Sequence, residues 1–189
     1  MCVISDTSMK ELVITEEKYQ EAKKWFERRD WDAIDGKLLI YPFNPKDLGP
    51  FNYDLHVGDE VFEHGTQQKI SMIEEKEVAF KPGDILLVLT REYIGLPREF
   101  AASVKPRFCF VREGIIQSMT RIDPTWYGNI AVAIANCSKR RFMLRRNQAF
   151  CTLVIHKLDK PCSRVLDSSV IPALGKESIE YFLEIGKDI

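Results

Sequence analysis

The stretch RIDPTWYGNIAVAIAN, Arg121 to Asn136, puts a carboxylate and a guanidinium beside a turn and then feeds them into a strand. From Ile130 the even positions are bulky (Ile130, Val132, Ile134) and the odd ones are all alanine (Ala131, Ala133, Ala135). A period of two places these sets on opposite faces. One face is an ordinary core face, and the other is a strip of methyl groups behind Asp123. Upstream, Pro106-Arg107-Phe108-Cys109-Phe110-Val111-Arg112 supplies two more guanidinium forks, whose geometry suits phosphate oxygens. Together these residues offer anion recognition from Arg107 and Arg112 and one carboxylate, Asp123, at the mouth of the strip. Trp126 could flank a base, although an aromatic in such a turn often packs on the body. Asp123 could equally hold the Asp-Pro-Thr turn, Arg107 and Arg112 could serve ion pairs, and Arg121 reads as structural.

Composition bounds what surrounds these groups. A chain of 189 residues with 45% hydrophobic and 29% charged residues can form one packed domain with appended ends. The net charge of -1 argues against a general polyanion-binding surface. The run SKRRFMLRRN (138–147) holds five basic residues around an expected hairpin, but stacking aromatics do not interleave with it; it reads as a solvated loop rather than a nucleic-acid site. No apolar run is long enough for a transmembrane helix, and the first residues lack a signal-peptide pattern, so a cytoplasmic protein with no membrane partner is expected. Five scattered cysteines without a CxxC pair read as buried thiols in a reducing compartment, Cys109 among them. Three histidines without ligand spacing leave no zinc site, and the H-x-E and P-C-x-x-C signatures of zinc deaminases are absent.

The elements that must position the site follow from local pattern. TEEKYQEAKKWFERR (15–29) predicts a helix, with Thr15 as cap and Tyr19, Ala22 and Phe26 on one buried stripe. After it, β-rich runs alternate with Gly, Pro, Asn and Asp, as in FKPGDILLVLT, where Pro82-Gly83-Asp84 turns the chain into a buried strand. This predicts a mainly β, double-sheet or jelly-roll body. The expected divisions are an N-terminal helical extension over 1–35, a β domain over 36–160 and a tail over 161–189 with a short helix around KESIEYFLEIG.

Several segments in order resemble the dCTP deaminase and dUTPase family, and the deaminase branch most. Asn52-Tyr53-Asp54-Leu55-His56-Val57-Gly58 is similar to its S-x-D-L-x-L-G signature. FKPGDILLVLTREYIGLP is similar to P-G-x-x-x-L-x-x-T-x-E-x-x-x-L-P, and IDPTWYGNI to I-D-P-G-W-x-G-x-I, with Asn136 retained. The resemblance spans about residues 30–157. It implies a distorted jelly-roll and a homotrimer with sites for a pyrimidine deoxynucleoside triphosphate between subunits. The implied chemistry is dCTP deamination or dUTP hydrolysis, with any Mg²⁺ carried on the nucleotide phosphates. Carried over residue by residue, Arg107 and Arg112 match arginines of the second motif, and Asp123 matches the aspartate beside the deoxyribose. Phe108 and Cys109 stand where serines belong, Thr152 where the dUTPases have glutamine, and Ala133 where the deaminases have the general acid/base glutamate. The glycine-rich dUTPase arm and the deaminase tail's Tyr, Lys and Gln set are also missing, with only Tyr181 and Lys187 present in the tail. Metal-free deamination at C4 of cytosine needs a group that takes a proton from water and passes one to ammonia. A methyl group cannot do this, so the resemblance also admits a catalytically inactive, nucleotide-binding or regulatory trimer.

Overall fold

The computed structural model describes residues 2–119 and 121–165. The chain opens with strand β1 (Cys2–Val3), helix α1 (Asp6–Leu12), a 3-10 turn over Glu16–Lys18, and helices α2 (Tyr19–Arg28) and α3 (Trp31–Ile34). Strands β2 (Leu39–Tyr41), β3 (Tyr53–Glu63) and β4 (Gln68–Ser71) follow, then α4 (Met72–Glu75), β5 (Glu77–Phe80), β6 (Ile85–Thr90), β7 (Tyr93–Gly95) and β8 (Phe100–Pro106). Helix α5 (Phe108–Arg112) leads to β9 (Ile115–Gln117), β10 (Arg121–Ile122), β11 (Tyr127–Gly128), β12 (Ala131–Asn136), β13 (Phe142–Arg145) and β14 (Ala149–Lys157). No helix among the described residues is long and apolar enough to cross a membrane.

As expected, the body is mainly β. One antiparallel sheet runs in the order β10-β8-β14-β3-β6-β12-β9, with β1 added on β14 and β4 on β3. Smaller sheets, β11-β7-β2 and β13-β5, complete the architecture. Inward side chains such as Leu55, Val88, Val104, Val132 and Leu153 are fully or almost fully buried and join one continuous core.

The helix expected over 15–29 divides in two. Its entry is the 3-10 turn, and Thr15 makes no side-chain cap bond because the α-helix proper begins a turn later. Tyr19, Ala22 and Phe26 form the buried stripe, and the helix closes at Arg29 in the left-handed region (φ 56°). That stripe meets Ile14, Ile34, Leu39, Tyr93 and Tyr127 in a second apolar cluster. Phe26 stacks on Tyr127 at 5.8 Å between ring centres, so α2 braces the strand that follows the Asp123 turn. The expected helix at 176–186 lies outside the described residues.

Two other expectations are corrected. The 138–147 run is not a local hairpin: β13 leaves β12 and pairs with β5, because Leu144 is fully buried there and Phe142 packs against Phe110. Three of the five basic residues are held by acids, Arg140 by Glu113, Arg145 by Glu77 and Arg146 by Asp59. The thiols are not generally buried either. Cys151 is, on an inward position of β14, whereas Cys2, Cys109 and Cys137 are exposed on strand ends, α5 and a turn.

The sheet corner that fixes the site's frame is built on Glu92, which is fully buried. Its carboxylate accepts the backbone N–H of His56 at 2.8 Å and Arg91 Nη2 at 2.7 Å, and His56 Nδ1 lies 2.8 Å from it. A carboxylate only accepts, so Nδ1 carries the hydrogen. Around the same corner, the Asn129 amide donates to Thr90 O at 2.8 Å and the Ile130 N–H to Thr90 Oγ1 at 2.9 Å. Strand β3, the β6–β7 corner and the start of β12 are thereby locked together. Replacing Glu92 by alanine strands these donors in the interior, and we expect a loss of about 3–5 kcal/mol in urea unfolding; a loss under about 1 kcal/mol would contradict this assignment.

Candidate functional site

The turn carrying Asp123 is fixed from both sides. Ile122 pairs with Ala102 on β8, and the Thr125 N–H donates to Leu96 O at 3.0 Å while the Leu96 N–H donates to Trp126 O at 2.9 Å. Thr125 adopts φ 68°, at the position where the family pattern has glycine. A β-branched residue there costs about 1–2 kcal/mol, which the Leu96 bonds must offset. Asp123 itself projects outward and is 43% exposed, with Arg121 Nε 2.8 Å from its carboxylate. An exposed pair of this kind stabilises little, so Asp123 can exchange Arg121 for another partner. Trp126 shares the turn, but its indole is half-buried against the core and its N–H donates to Gly128 O at 3.3 Å.

The arginines lie elsewhere. Arg107 immediately precedes α5 at the far end of β8, and its Nη1 is 2.7 Å from Asp54 Oδ2 on β3. Burial pushes the Asp54 carboxyl above the ordinary carboxylate range, and the Arg107 charge works against that rise. Arg112, at the other end of α5, is exposed and lies 3.5 Å from Glu113. Between them Phe108 is 77% exposed and presents a bare ring to solvent beside Arg107.

The register shows which of these groups share a site. Arg121 pairs with Ser103 and Ile122 with Ala102, which brings Asp123 to the level of Ala101. Arg107 immediately follows β8, six residues beyond Ala101, so at ~3.3 Å per residue the two levels are separated by about 20 Å along the strand. One copy therefore brings Asp123 and Trp126 together at one end of β8, and Arg107, Arg112 and Asp54 at the other. It does not join the two groups.

The alanine strip faces outward, as the alternation requires. Ala131, Ala133 and Ala135 are half-buried and pair with Leu89, Leu87 and Ile85 of β6. Ile85 (43% exposed) and Ile116 of β9 (58%) extend the same shallow apolar face. The Ala133 backbone is tied to Ser118: Ser118 N–H donates to Ala133 O at 2.8 Å, and Ala133 N–H to Ser118 Oγ at 3.2 Å. Ala133 itself contributes one methyl group to this wall. Thr152 sits on the outer face of β14 opposite Lys105 and Asp54. Asn136 is a buried clamp, its amide donating to Phe80 O and Arg140 O.

Sequence reading missed Asp54 as a partner of Arg107, Glu92 as the corner carboxylate, and Gln117, a buried amide on β9. The signal available for the first was its place in the D-L signature, and for Glu92 an acid directly after an apolar strand.

The Arg107–Asp54 pair has a pH signature. Without Arg107, Asp54 keeps its burial but loses its counter-charge, so its carboxyl rises further. We expect Arg107→Ala to cost about 1–2 kcal/mol at neutral pH, discounted for partial exposure. That cost is present above the raised Asp54 value and lost as pH falls through it, because a protonated carboxyl needs no counter-ion. Urea midpoints of both proteins across the acid range check this; a gap that is constant or widens toward low pH would be inconsistent with it.

Against known proteins, residues 27–158 match the family model described as dCTP deaminase-like. The chain is 35% identical over 128 residues to the dCTP deaminase of Thermococcus sibiricus, covering 68% of this chain and 81% of that one. It is 28% identical over 150 residues to the "dCTP deaminase, dUMP-forming" of Methanosphaera stadtmanae, covering 69% of this chain and 76% of that one. Its fold is similar to the crystal structure of 2'-deoxycytidine 5'-triphosphate deaminase from Agrobacterium tumefaciens, with a TM-score of 0.56 at 15% identity, over 69% of this chain and 46% of that one. On the extent of the family match and the identity to these relatives, the chain belongs to the dCTP deaminase-like family.

Proposed function

We propose that this chain binds a pyrimidine deoxynucleoside triphosphate between copies of itself, in a homotrimer serving dUTP and dUMP metabolism. The observation that carries this reading is the division of the polar groups between the two ends of β8. The phosphates and sugar of one nucleotide are bonded neighbours, so groups about 20 Å apart can serve the same molecule only when they come from different copies. Arg107 and Arg112 of one copy grip the phosphates, and Asp123 of another stands at the sugar and the attacking water, with Trp126 holding its turn beside the base. The apolar face of Ile85, Leu87, the alanine strip and Ile116 supplies surface for the contact between copies.

Deamination through a side-chain carboxylate is not part of this reading, because Ala133 occupies that position. Hydrolysis of the triphosphate needs only an oriented water and stabilised phosphate charge, for which Asp123 and the arginines suffice. Asp54 and Asp123 stand at opposite ends of β8, and among the described residues no three His, Cys, Asp or Glu side chains gather to hold a metal ion. Any Mg²⁺ would come with the phosphates.

A second reading, binding without turnover, is favoured by Phe108, Ala133 and Thr152 standing at three polar positions of the family pattern. A turnover panel with dCTP and dUTP, each with and without Mg²⁺, decides between them. We expect no ammonia from dCTP, dUMP and pyrophosphate from dUTP, and a fall of about 100-fold or more in Asp123→Asn. Binding without product supports the second reading, and no binding of either nucleotide defeats both. Sedimentation is expected to give a trimer; a monomer that binds nucleotide would overturn the shared site.

A further inference from the structure

Nine large hydrophobic side chains stand exposed among the described residues, and five of them gather on neighbouring elements: Phe108 and Val111 on α5, Ile116 on β9, Met119 just beyond it, and Ile85 on β6. Single apolar side chains on a surface need no explanation, but a concentration of this kind marks a contact. Its two parts have opposite shapes. On α5, Phe108 and Val111 are three residues apart and share the outer side of the helix, while Phe110 turns inward against Phe142. The Phe108 ring, 77% exposed, is a knob that its own copy does not cover.

The sheet offers the hole. Ala131, Ala133 and Ala135 alternate outward on β12, and alternate residues of a strand stand about 6.6 Å apart. Only methyl groups cover the backbone there, whereas Leu87 and Ile85 of β6 flank it on one side and Ile116 of β9 on the other. The result is a shallow apolar trough that suits one flat ring. Charge agrees with shape. At the end of α5, Arg112 and Arg140 share the single carboxylate of Glu113, so this end is net positive. The trough has no charged cross-strand neighbour, and the turn that leads into it carries the exposed carboxylate of Asp123.

We propose that Phe108 of one copy seats on the alanine strip of the next, against Ala133 and Ala135. The proposal rests on the assembly of copies put forward above and not on which nucleotide is bound. Knob and hole are different surfaces of one chain, so each copy gives one ring and receives one. A heterologous contact of this kind closes into a ring of subunits, and the homotrimer is such a ring. Seating Phe108 also carries Arg107, its neighbour in the chain, to the face of the next copy that follows Asp123. Phe108 is thus a positioning residue: it touches the next copy and sets where the guanidinium stands.

Sedimentation equilibrium of the full-length chain over a dilution series tests this. Because Phe108 is exposed, Phe108→Ala should keep the wild-type circular dichroism spectrum and urea midpoint. It should raise the concentration of half-dissociation by about 10- to 100-fold. Ala133→Phe fills the trough and should weaken assembly in the same direction. The double variant moves the ring from one side of the contact to the other, and should assemble about tenfold more tightly than the weaker single variant. Assembly of Phe108→Ala equal to wild type overturns the proposal, and so does a double variant no tighter than the weaker single one. Should Ala133→Phe not fold, Phe108→Ala alone decides. A wild type that stays monomeric at every concentration removes this proposal and the assembly reading together. A trimer indifferent to Phe108 removes this proposal alone. A trimer that needs Phe108 yet binds neither dCTP nor dUTP supports it while the nucleotide reading falls.

Discussion

The fully buried carboxylate of Glu92 is the constraint on which the rest of the molecule depends. A charge in that position is tolerable only because three kinds of donor converge on it: the His56 backbone N–H, the His56 ring and the Arg91 guanidinium. These come from strand β3 and from the corner itself, so satisfying the charge fixes how the two elements meet. The bonds that Asn129 and Ile130 make to Thr90 transmit the same constraint to the start of β12. Gly58 makes the close approach possible, since a Cβ there would lie 2.7 Å from Thr90 O. The alanine strand and the turn before it inherit their positions from this corner and from α2 pressing on Tyr127.

Within that frame the candidate site is polar at its ends and apolar along its wall. The charged groups, Asp54 with Arg107 and Arg121 with Asp123, are paired and stand at opposite ends of β8. Phe108, beside Arg107, and Ala133, on β12, carry no exchangeable proton and no lone pair. A surface of this kind offers guanidinium groups to an anion and a carboxylate to a water, with no titratable side chain on the alanine wall. The left-handed Thr125 points the same way: a strained turn kept by Leu96 on both sides is a turn whose shape matters more than its local cost.

Much of this was legible in the residues. The helical stripe of Tyr19, Ala22 and Phe26 and the inward and outward faces of AVAIAN follow from spacing, because burial of one face is decided by side-chain period. The mainly β body followed from alternating runs broken by turn residues. The 138–147 hairpin was misread because β13 finds its partner in β5, far away in sequence, and local pattern carries no information on that. Buried cysteines were misread for the reverse reason, since a thiol is placed by the face its neighbours require. At the site, residue types were readable and the pairings were not. Nothing in the spacing of Asp54 and Arg107, 53 residues apart, says that one neutralises the other.

By itself, then, the sequence determined the class of fold, the faces of its elements, and the alanine strip that includes Ala133. These are local matters of period, turn chemistry and side-chain identity. Only the tertiary structure decided that Glu92 organises the sheet corner, that Asp123 and Arg107 stand at opposite ends of β8, and that Gln117 is turned inward from β9 toward Cys151. Each depends on long-range register, which places groups distant in the chain within hydrogen-bond reach or holds them apart, and register is set by the packing of the whole core.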